Sequence, residues 1–288
     1  MDCSRIYMLA SDHRWQWEEW CDSAGLPRER ISEVKDLVFD AFAAARERSS
    51  DVARYGALLL DTVYGREAVR RARDAGIPVG TPVEKAGVFP LQWQSDPFYA
   101  EQAGNSFVKV LVRYRPEWDR AAKEGQMAKL LQLQSWCRTQ RVTLLVEIVI
   151  VRQDEDEREF EERGRPRLLA SVIRDAYDRG LVPQIWKIEG TSSAGGAATI
   201  DEAIRERPEP RQVILGKGAD AATITGWFST AAPLASTIGF AIGRSVFWNP
   251  GTAYLTGRTT AAAAVETMAS TYLSLIDEWR SATARTTQ

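Results

Sequence analysis

Three short apolar segments each carry one ionisable residue: Lys109 in FVKVLV, Glu147 in LLVEIVI and Lys187 in QIWKI, at intervals of 38 and 40 residues. An amine held among apolar groups and beside a second cation gives up its proton more readily, and the neutral amine attacks carbonyl carbon. Lys187, between Trp186 and Ile188, is the candidate nucleophile. Lys109 is the candidate second cation. An imine formed on such a lysine draws electrons out of a neighbouring carbon–carbon bond, so the chemistry open to these residues is retro-aldol cleavage. That reaction needs a base for the hydroxyl proton and an acid for the enamine, and Glu147 is the carboxylate expected to serve. A plainer role for Glu147, a buried ion pair that only orients the two lysines, stays open beside it.

Such residues act together only if several strands deliver them to one place. Short runs that are apolar throughout are expected as strands over Ile6–Ala10, Ala57–Leu60, Val79–Val83, Phe107–Val112, Thr143–Ile150, Gln184–Ile188, Gln212–Leu215 and Ile238–Ile242. Helical periodicity lies between them, over Glu33–Arg48, Gly65–Ala75, Glu124–Thr139, Pro166–Arg179 and Ala219–Ala231. Strands without polar alternation suit a parallel sheet covered on both faces. Eight strand–helix units in about 250 residues is the inventory of a TIM barrel. The expectation is therefore α/β, one (β/α)8 barrel over residues 1–288, with a doubly wound open sheet as runner-up. No G-x-G-x-x-G opens the first helix to favour the latter. A charged insert at about 152–165 is read as a solvated loop or helix start, with a mobile lid as the alternative. The polar tail 281–288 is expected to fray.

In a barrel the active side is the C-terminal end of the strands. Asp12, His13 and Arg14 end the first strand, Asp61 the second, Glu84 and Lys85 the third. Arg113 lies on the fourth. Substrate binding is assigned to Asp12, His13, Arg14, Asp61, Glu84 and Lys85. Arg14 is the expected clamp for an anion or substrate oxygen and Asp12 the hydroxyl acceptor, while His13 could equally hydrogen-bond a loop carbonyl. The last two turns read ILGKGAD and AIGRSVFW. Glycine-freed backbone N–H groups beside a cation bind phosphate in such turns, which points to Gly216, Lys217, Gly218, Gly243 and Arg244. In WQWEEW, Trp17 and Trp20 are expected to pack on the barrel and Trp15 to line the pocket mouth.

Composition excludes more than it assigns. The chain has 288 residues, 44% hydrophobic and 26% charged, and a formal net charge of -2, which argues against a nucleic-acid surface. No apolar run approaches the ~20 residues that span a bilayer, and the first residues lack a signal-peptide pattern. Cys3, Cys21 and Cys137 are odd in number and widely spaced, so neither a disulfide framework nor a zinc site is suggested. With one histidine and no carboxylate cluster, a cytoplasmic protein with no cofactor and no metal is expected.

The segments MLASDHR, LLLDTVYG, TPVEKAG, FVKVLVRYRP, LLVEI, RPRLLASVIRDAYDRGLVPQIWKIEG, VILGKGA and GFAIGRSVFWNP resemble the class I aldolase domain of the inositol-catabolism type, the DUF2090 domain found alone or fused behind a sugar kinase. The resemblance runs from about residue 5 to 280. RPRL, WKIEG and GFAIGR-FW are its most specific pieces. That domain is in turn similar to tagatose-bisphosphate and sulfofructose-phosphate aldolases. The resemblance implies a Schiff base on Lys187, proton shuttling by Glu147 with Lys109 close to both, and phosphate held by the last two turns. It implies dihydroxyacetone phosphate as the imine-bound product and a phosphorylated keto-sugar, 2-deoxy-5-keto-gluconate-6-phosphate foremost, as substrate. The chain departs from the pattern in three places. VEIVIVRQ stands where the domain has FELLVPAT, LGKG where it has LGRG, and VEKAG where it has VEKSG. The first change alters the surface that meets the aldehyde half; the second keeps a cation but loses the guanidinium fork.

Two other readings use the same residues. An isomerase or epimerase would employ the lysine as a charge clamp, and a non-catalytic sugar-phosphate-binding protein would bind without turnover. A homo-oligomer stays open, since barrel aldolases often assemble. The C-terminal helix Ala261–Trp279 is a candidate interface, with covering of the barrel bottom as the stronger reading.

Overall fold

A computed structural model of the chain describes residues 4–285. Eight strands, β1 (Ile6–Ser11), β2 (Gly56–Leu60), β3 (Val79–Pro82), β4 (Phe107–Tyr114), β5 (Thr143–Ile150), β6 (Ile185–Glu189), β7 (Arg211–Leu215) and β8 (Thr237–Ile242), close into a barrel in sequence order. Each strand pairs in parallel with its neighbours, and β8 returns to β1. The expected single (β/α)8 barrel is the observed fold, with strand bounds within about two residues of those read from the sequence. Uniformly apolar strands fit because both faces are buried: Val108, Val110 and Val112 of β4 pack outward against helices. Met8, Leu59, Phe107, Leu145, Ile185 and Val213 fill the barrel interior.

The helices are α1 (Trp15–Ala24), α2 (Ile31–Arg48), α3 (Ser50–Tyr55), α4 (Arg66–Asp74), α5 (Arg120–Gln140), α6 (Glu157–Glu159), α7 (Arg165–Asp178), α8 (Ala194–Ile204), α9 (Ala221–Ala231), α10 (Arg244–Leu255) and α11 (Ala261–Ala284). Side-chain caps start several of them: Asp119 accepts from Ala122 N at 2.7 Å, Ser193 from Gly196 N at 3.1 Å and Asp220 from Thr223 N at 2.8 Å. Each such cap is worth about 1 kcal/mol. No helix among the described residues is long and apolar enough to cross a membrane.

Several features differ from the sequence reading. The third unit has no helix: residues 83–106 are turns and loop, joined by an isolated bridge between Glu84 and Trp93. Pro90 and Pro97 remove the backbone donors a helix there would need. Helix α8 was not expected, because Gly195 and Gly196 mask its periodicity. The charged insert is the helix start that the sequence allowed, running through α6 and a π-helical turn (Phe160–Gly164) into α7. Helix α11 continues to Ala284, into the segment expected to fray, and residues 286–288 lie outside the described part, as does Cys3. Instead of covering the barrel bottom, α11 is the outer helix of the eighth unit. It packs on α2 and α9, and its Tyr272 hydroxyl donates to the Tyr7 carbonyl at 2.7 Å. Helix α10 is an extra element between β8 and α11.

Candidate active site

Alternation decides which strand residues face inward. On β4 the inward set is Phe107, Lys109, Leu111 and Arg113; on β5 it is Leu145, Glu147 and Val149; on β6 it is Ile185, Lys187 and Glu189. Glu147 and Lys187 stand directly opposite each other in the β5–β6 register. At the C-terminal end these side chains line a cavity of about 240 Å³, together with Asp12, His13, Arg14 and Trp15 from the β1 end, Glu84 from β3, and the turns after β7 and β8.

One ammonium organises the floor. Lys109 Nζ lies 2.8 Å from Asp12, 2.7 Å from Glu84 and 3.1 Å from Glu147. The same Glu147 oxygen accepts from Lys187 Nζ at 3.0 Å. All five side chains are nearly sealed from solvent. Burial alone would lower the Lys109 ammonium, but Asp12, Glu147 and Glu84 together hold it well above the ordinary lysine range. Burial opposes ionisation of Asp12 too, yet Lys109 and Lys187 hold it well below the usual aspartate value. Glu147 is lowered by the same two lysines against its own burial. Glu84 goes the other way: burial raises it, and its share of Lys109 does not offset that. Three carboxylates around two lysines are thus pushed apart in proton affinity, the arrangement from which acid and base roles emerge.

His13 is neutral. Burial drives its imidazole down to about 3, with Asp12 opposing, and its Nδ1 is a buried atom without a hydrogen-bond partner. Arg14 is buried, but two of its donors are spent within the protein, on Gln94 Oε1 at 2.6 Å and the Glu84 carbonyl at 2.7 Å. It therefore braces the β3 loop as well as lining the cavity. Trp15 is 43% exposed at the mouth, whereas Trp17 is in the core, stacked on Trp248 at 4.3 Å.

The two glycine turns meet. Lys217 has φ 50° and Gly218 φ 79°, a left-handed pair that turns the chain sharply. A Cβ at Gly243 would come within 1.8 Å of the Ala10 carbonyl, so only glycine lets this turn cross β1. Arg244 opens α10 and donates to the Lys217 carbonyl at 2.6 Å, tying the two turns together. Burial lowers its guanidinium somewhat. The Lys217 ammonium is held by Glu189 at 2.7 Å.

Two expected substrate contacts are not in the cavity. Asp61 continues the inward parity of β2, but the chain leaves the strand at Leu60 and turns it away. It is fully buried against Lys35 at 2.9 Å, and its other oxygen accepts from Val63 N and Tyr64 N. Lys85 is exposed on the loop beyond β3 and does not line the cavity. In their place the sequence reading missed Glu189, which sits two residues after Lys187 and hence on the same face; the WKIEG spacing carried that signal. It also missed Arg165, buried behind Glu189 at 3.2 Å and bonded to the Gly190 carbonyl at 2.9 Å.

Residues 1–283 match the family described as "Uncharacterized protein conserved in bacteria (DUF2090)". The chain belongs to that family. Among curated proteins none matches it. Among solved structures it is similar to the fructose-bisphosphate aldolase of Plasmodium falciparum, with 14% identity, a TM-score of 0.70, and coverage of 98% of this chain and 92% of that one. It is also similar to a Schiff-base-forming fructose-1,6-bisphosphate aldolase, at 16% identity and a TM-score of 0.55 over 93% of this chain and 92% of that one. An archaeal fructose-1,6-bisphosphate aldolase, solved with its catalytic lysine covalently bound to the carbinolamine intermediate, gives 15% identity and a TM-score of 0.57, covering 93% and 95%. At these identities the likeness is one of fold. What this DUF2090 chain does with that fold is written in its own cavity.

Proposed function

We propose that the protein is a class I aldolase, metal-independent, that reversibly cleaves a phosphorylated keto-sugar or keto-sugar acid to dihydroxyacetone phosphate and an aldehyde. The observation that carries the reading is the Lys187–Glu147–Lys109 chain, joined by a hydrogen bond and an ion pair, nearly buried and facing one cavity at the C-terminal rim. The fold shared with aldolases that use a lysine in this way supports it.

Lys187, passing its proton to Glu147, attacks the ketose carbonyl carbon; Glu147 returns that proton to the carbinolamine hydroxyl, which leaves as water and gives an iminium, with Glu147 again a carboxylate. Glu147, kept ionised by the two lysines, then takes the proton of the hydroxyl two carbons away. The carbon–carbon bond between them breaks, its electron pair moves into the iminium to give an enamine, and the aldehyde departs. Protonation of the enamine carbon and hydrolysis release dihydroxyacetone phosphate and restore the lysine. Lys109 holds Asp12, Glu84 and Glu147 in place and Asp12 accepts a substrate hydroxyl. Gly216, Gly218, Gly243 and Arg244 receive the phosphate on free backbone N–H groups and the start of α10, with Lys217 joining once it leaves Glu189. His13 and Arg14 border the substrate at the β1 end.

By the resemblance in its motifs, the substrate is 2-deoxy-5-keto-gluconate-6-phosphate and the aldehyde malonate semialdehyde; sulfofructose-1-phosphate and tagatose bisphosphate are the alternatives. The test is release of dihydroxyacetone phosphate from these ketoses in the presence of a chelator, followed by a coupled dehydrogenase. Release from one of them is expected. Substrate binding without release from any would favour an isomerase or a sugar-phosphate-binding protein. The protein is expected to act in the cytoplasm.

A further inference from the structure

The cavity has six cationic side chains and four carboxylates in its wall, so two positive charges remain in excess with every carboxylate ionised. The excess is unevenly spread. Lys109 and Lys187 are outnumbered by Asp12, Glu84 and Glu147, and Lys217 is matched by Glu189. The unmatched cations are Arg14, Arg244 and Arg113. Arg14 has Gln94 and the Glu84 carbonyl for partners, and Arg244 has the Lys217 carbonyl. Arg113 alone among these described cations has no hydrogen bond or ion pair on its guanidinium.

Its position matters as much as its freedom. Arg113 lies on the inward face of β4, two inward steps beyond Lys109 and beside Val149 of β5 in register. In the ring of eight strands, β4 is four strands from β8 in either direction. Arg244 after β8 and the free guanidinium of Arg113 therefore stand at opposite sides of the mouth, with Glu147 on β5 and Lys187 on β6 between them. An arginine fork left unpaired at the rim of a low-dielectric cavity favours a planar or tetrahedral oxyanion.

We propose that Arg113 receives a second anionic group, a carboxylate, phosphate or sulfonate on the aldehyde half of the substrate, so that the ketose is charged at both ends. This inference deepens the aldolase reading and rests on it. It makes Arg113 a specificity-determining residue that discriminates between aldehydes and leaves imine formation untouched.

The test uses condensation of dihydroxyacetone phosphate with matched aldehydes, glyceraldehyde 3-phosphate, succinate semialdehyde and uncharged glyceraldehyde, on wild type, Arg113→Ala and Arg113→Lys. Wild type is expected to prefer the charged aldehydes in kcat/KM. In Arg113→Ala that preference should fall on the order of 10–100-fold, the scale of one charge-assisted contact. Uncharged glyceraldehyde should be used as before, and borohydride trapping with dihydroxyacetone phosphate should be unchanged. Arg113→Lys should restore part of the loss for the two tetrahedral or planar anions alike. A preference that survives Arg113→Ala, an equal loss for charged and uncharged aldehydes, or no preference in wild type would overturn the proposal. If dihydroxyacetone phosphate fails to trap on wild type, the aldolase reading falls by itself. Arg113 is then judged by calorimetric binding of fructose 1,6-bisphosphate against fructose 1-phosphate, where a gap that Arg113→Ala does not narrow refutes the subsite.

Discussion

Two buried clusters of lysine and carboxylate sit at the ends of barrel strands, and they are built differently. Lys35 and Asp61 form a closed pair. The ammonium donates to the Ser11 carbonyl at 2.5 Å and the His13 carbonyl at 2.8 Å and stands 2.9 Å from Asp61 in an ion pair, so its contacts are all taken within the protein. Asp61 spends its other oxygen on Val63 N and Tyr64 N. The Lys109 cluster is open and oversubscribed. Three carboxylates compete for one ammonium, Glu84 Oε2 is buried without a hydrogen-bond partner, and one Glu147 oxygen serves two lysines. The first cluster locks the end of β1 in place; the second keeps proton affinities divided beside a cavity. A buried charge at a strand end marks a site only where its bonding capacity is not already used up by the backbone.

The contrast can be broken most severely at Lys187. Lys187→Ala should abolish both cleavage and borohydride trapping, a loss on the order of 10⁴-fold or more for removal of a nucleophile. Steady-state and single-turnover assays check this, and normal cleavage would refute the assignment. Next comes Glu147→Gln, which keeps the shape and removes the base; kcat should drop about 10²–10⁴-fold. Imine trapping should persist at a slower rate. A drop in KM alone would instead mark Glu147 as a spacer between the lysines.

On the closed side the effect should appear in stability. Lys35→Met strands Asp61 in the core and should cost about 3–5 kcal/mol of folding free energy, read by denaturant unfolding. Lys35→Met combined with Asp61→Asn should recover much of it, and enzyme that remains folded should still trap substrate. Loss of trapping in folded Lys35→Met would erase the distinction between the two clusters.

The smallest effect concerns His13 and pH. Its imidazole stays neutral in the folded protein down to about 3, while the unfolded chain binds the proton below about 6.5. The unfolded state therefore holds more protons through that window, and stability is lost as pH falls within it, by at most about 1.4 kcal/mol per pH unit. His13→Gln removes this slope. Between about pH 7.5 and about pH 5.5 the wild-type Tm should fall a few degrees more than that of the variant. Parallel Tm curves would mean the imidazole is hydrated or paired when folded.

The barrel was legible because its strands are apolar on both faces; only the units that hide that pattern escaped. Gly195 and Gly196 concealed α8, and the turns of residues 83–106 took the place of the third helix. The Lys109–Glu147–Lys187 cluster was legible because each member interrupts an apolar run. Asp61 and Lys85 carried the same kind of signal, and nothing in sequence reveals that Lys35, 26 residues before Asp61, comes up under β1 to claim it. Glu189 obeys the strand alternation and could have been found by parity from Lys187, as Arg113 follows by parity from Lys109. The partners that decide which charges are spent come from distant segments, and those only the fold brings together.

The most direct test is intact-protein mass spectrometry after incubation with dihydroxyacetone phosphate and borohydride, with peptide mapping of the product. The account predicts one adduct per chain, on the peptide that contains Lys187, in wild type and in Arg113→Ala and absent from Lys187→Ala. An adduct on Lys109, or none in a protein that still binds dihydroxyacetone phosphate, would contradict it.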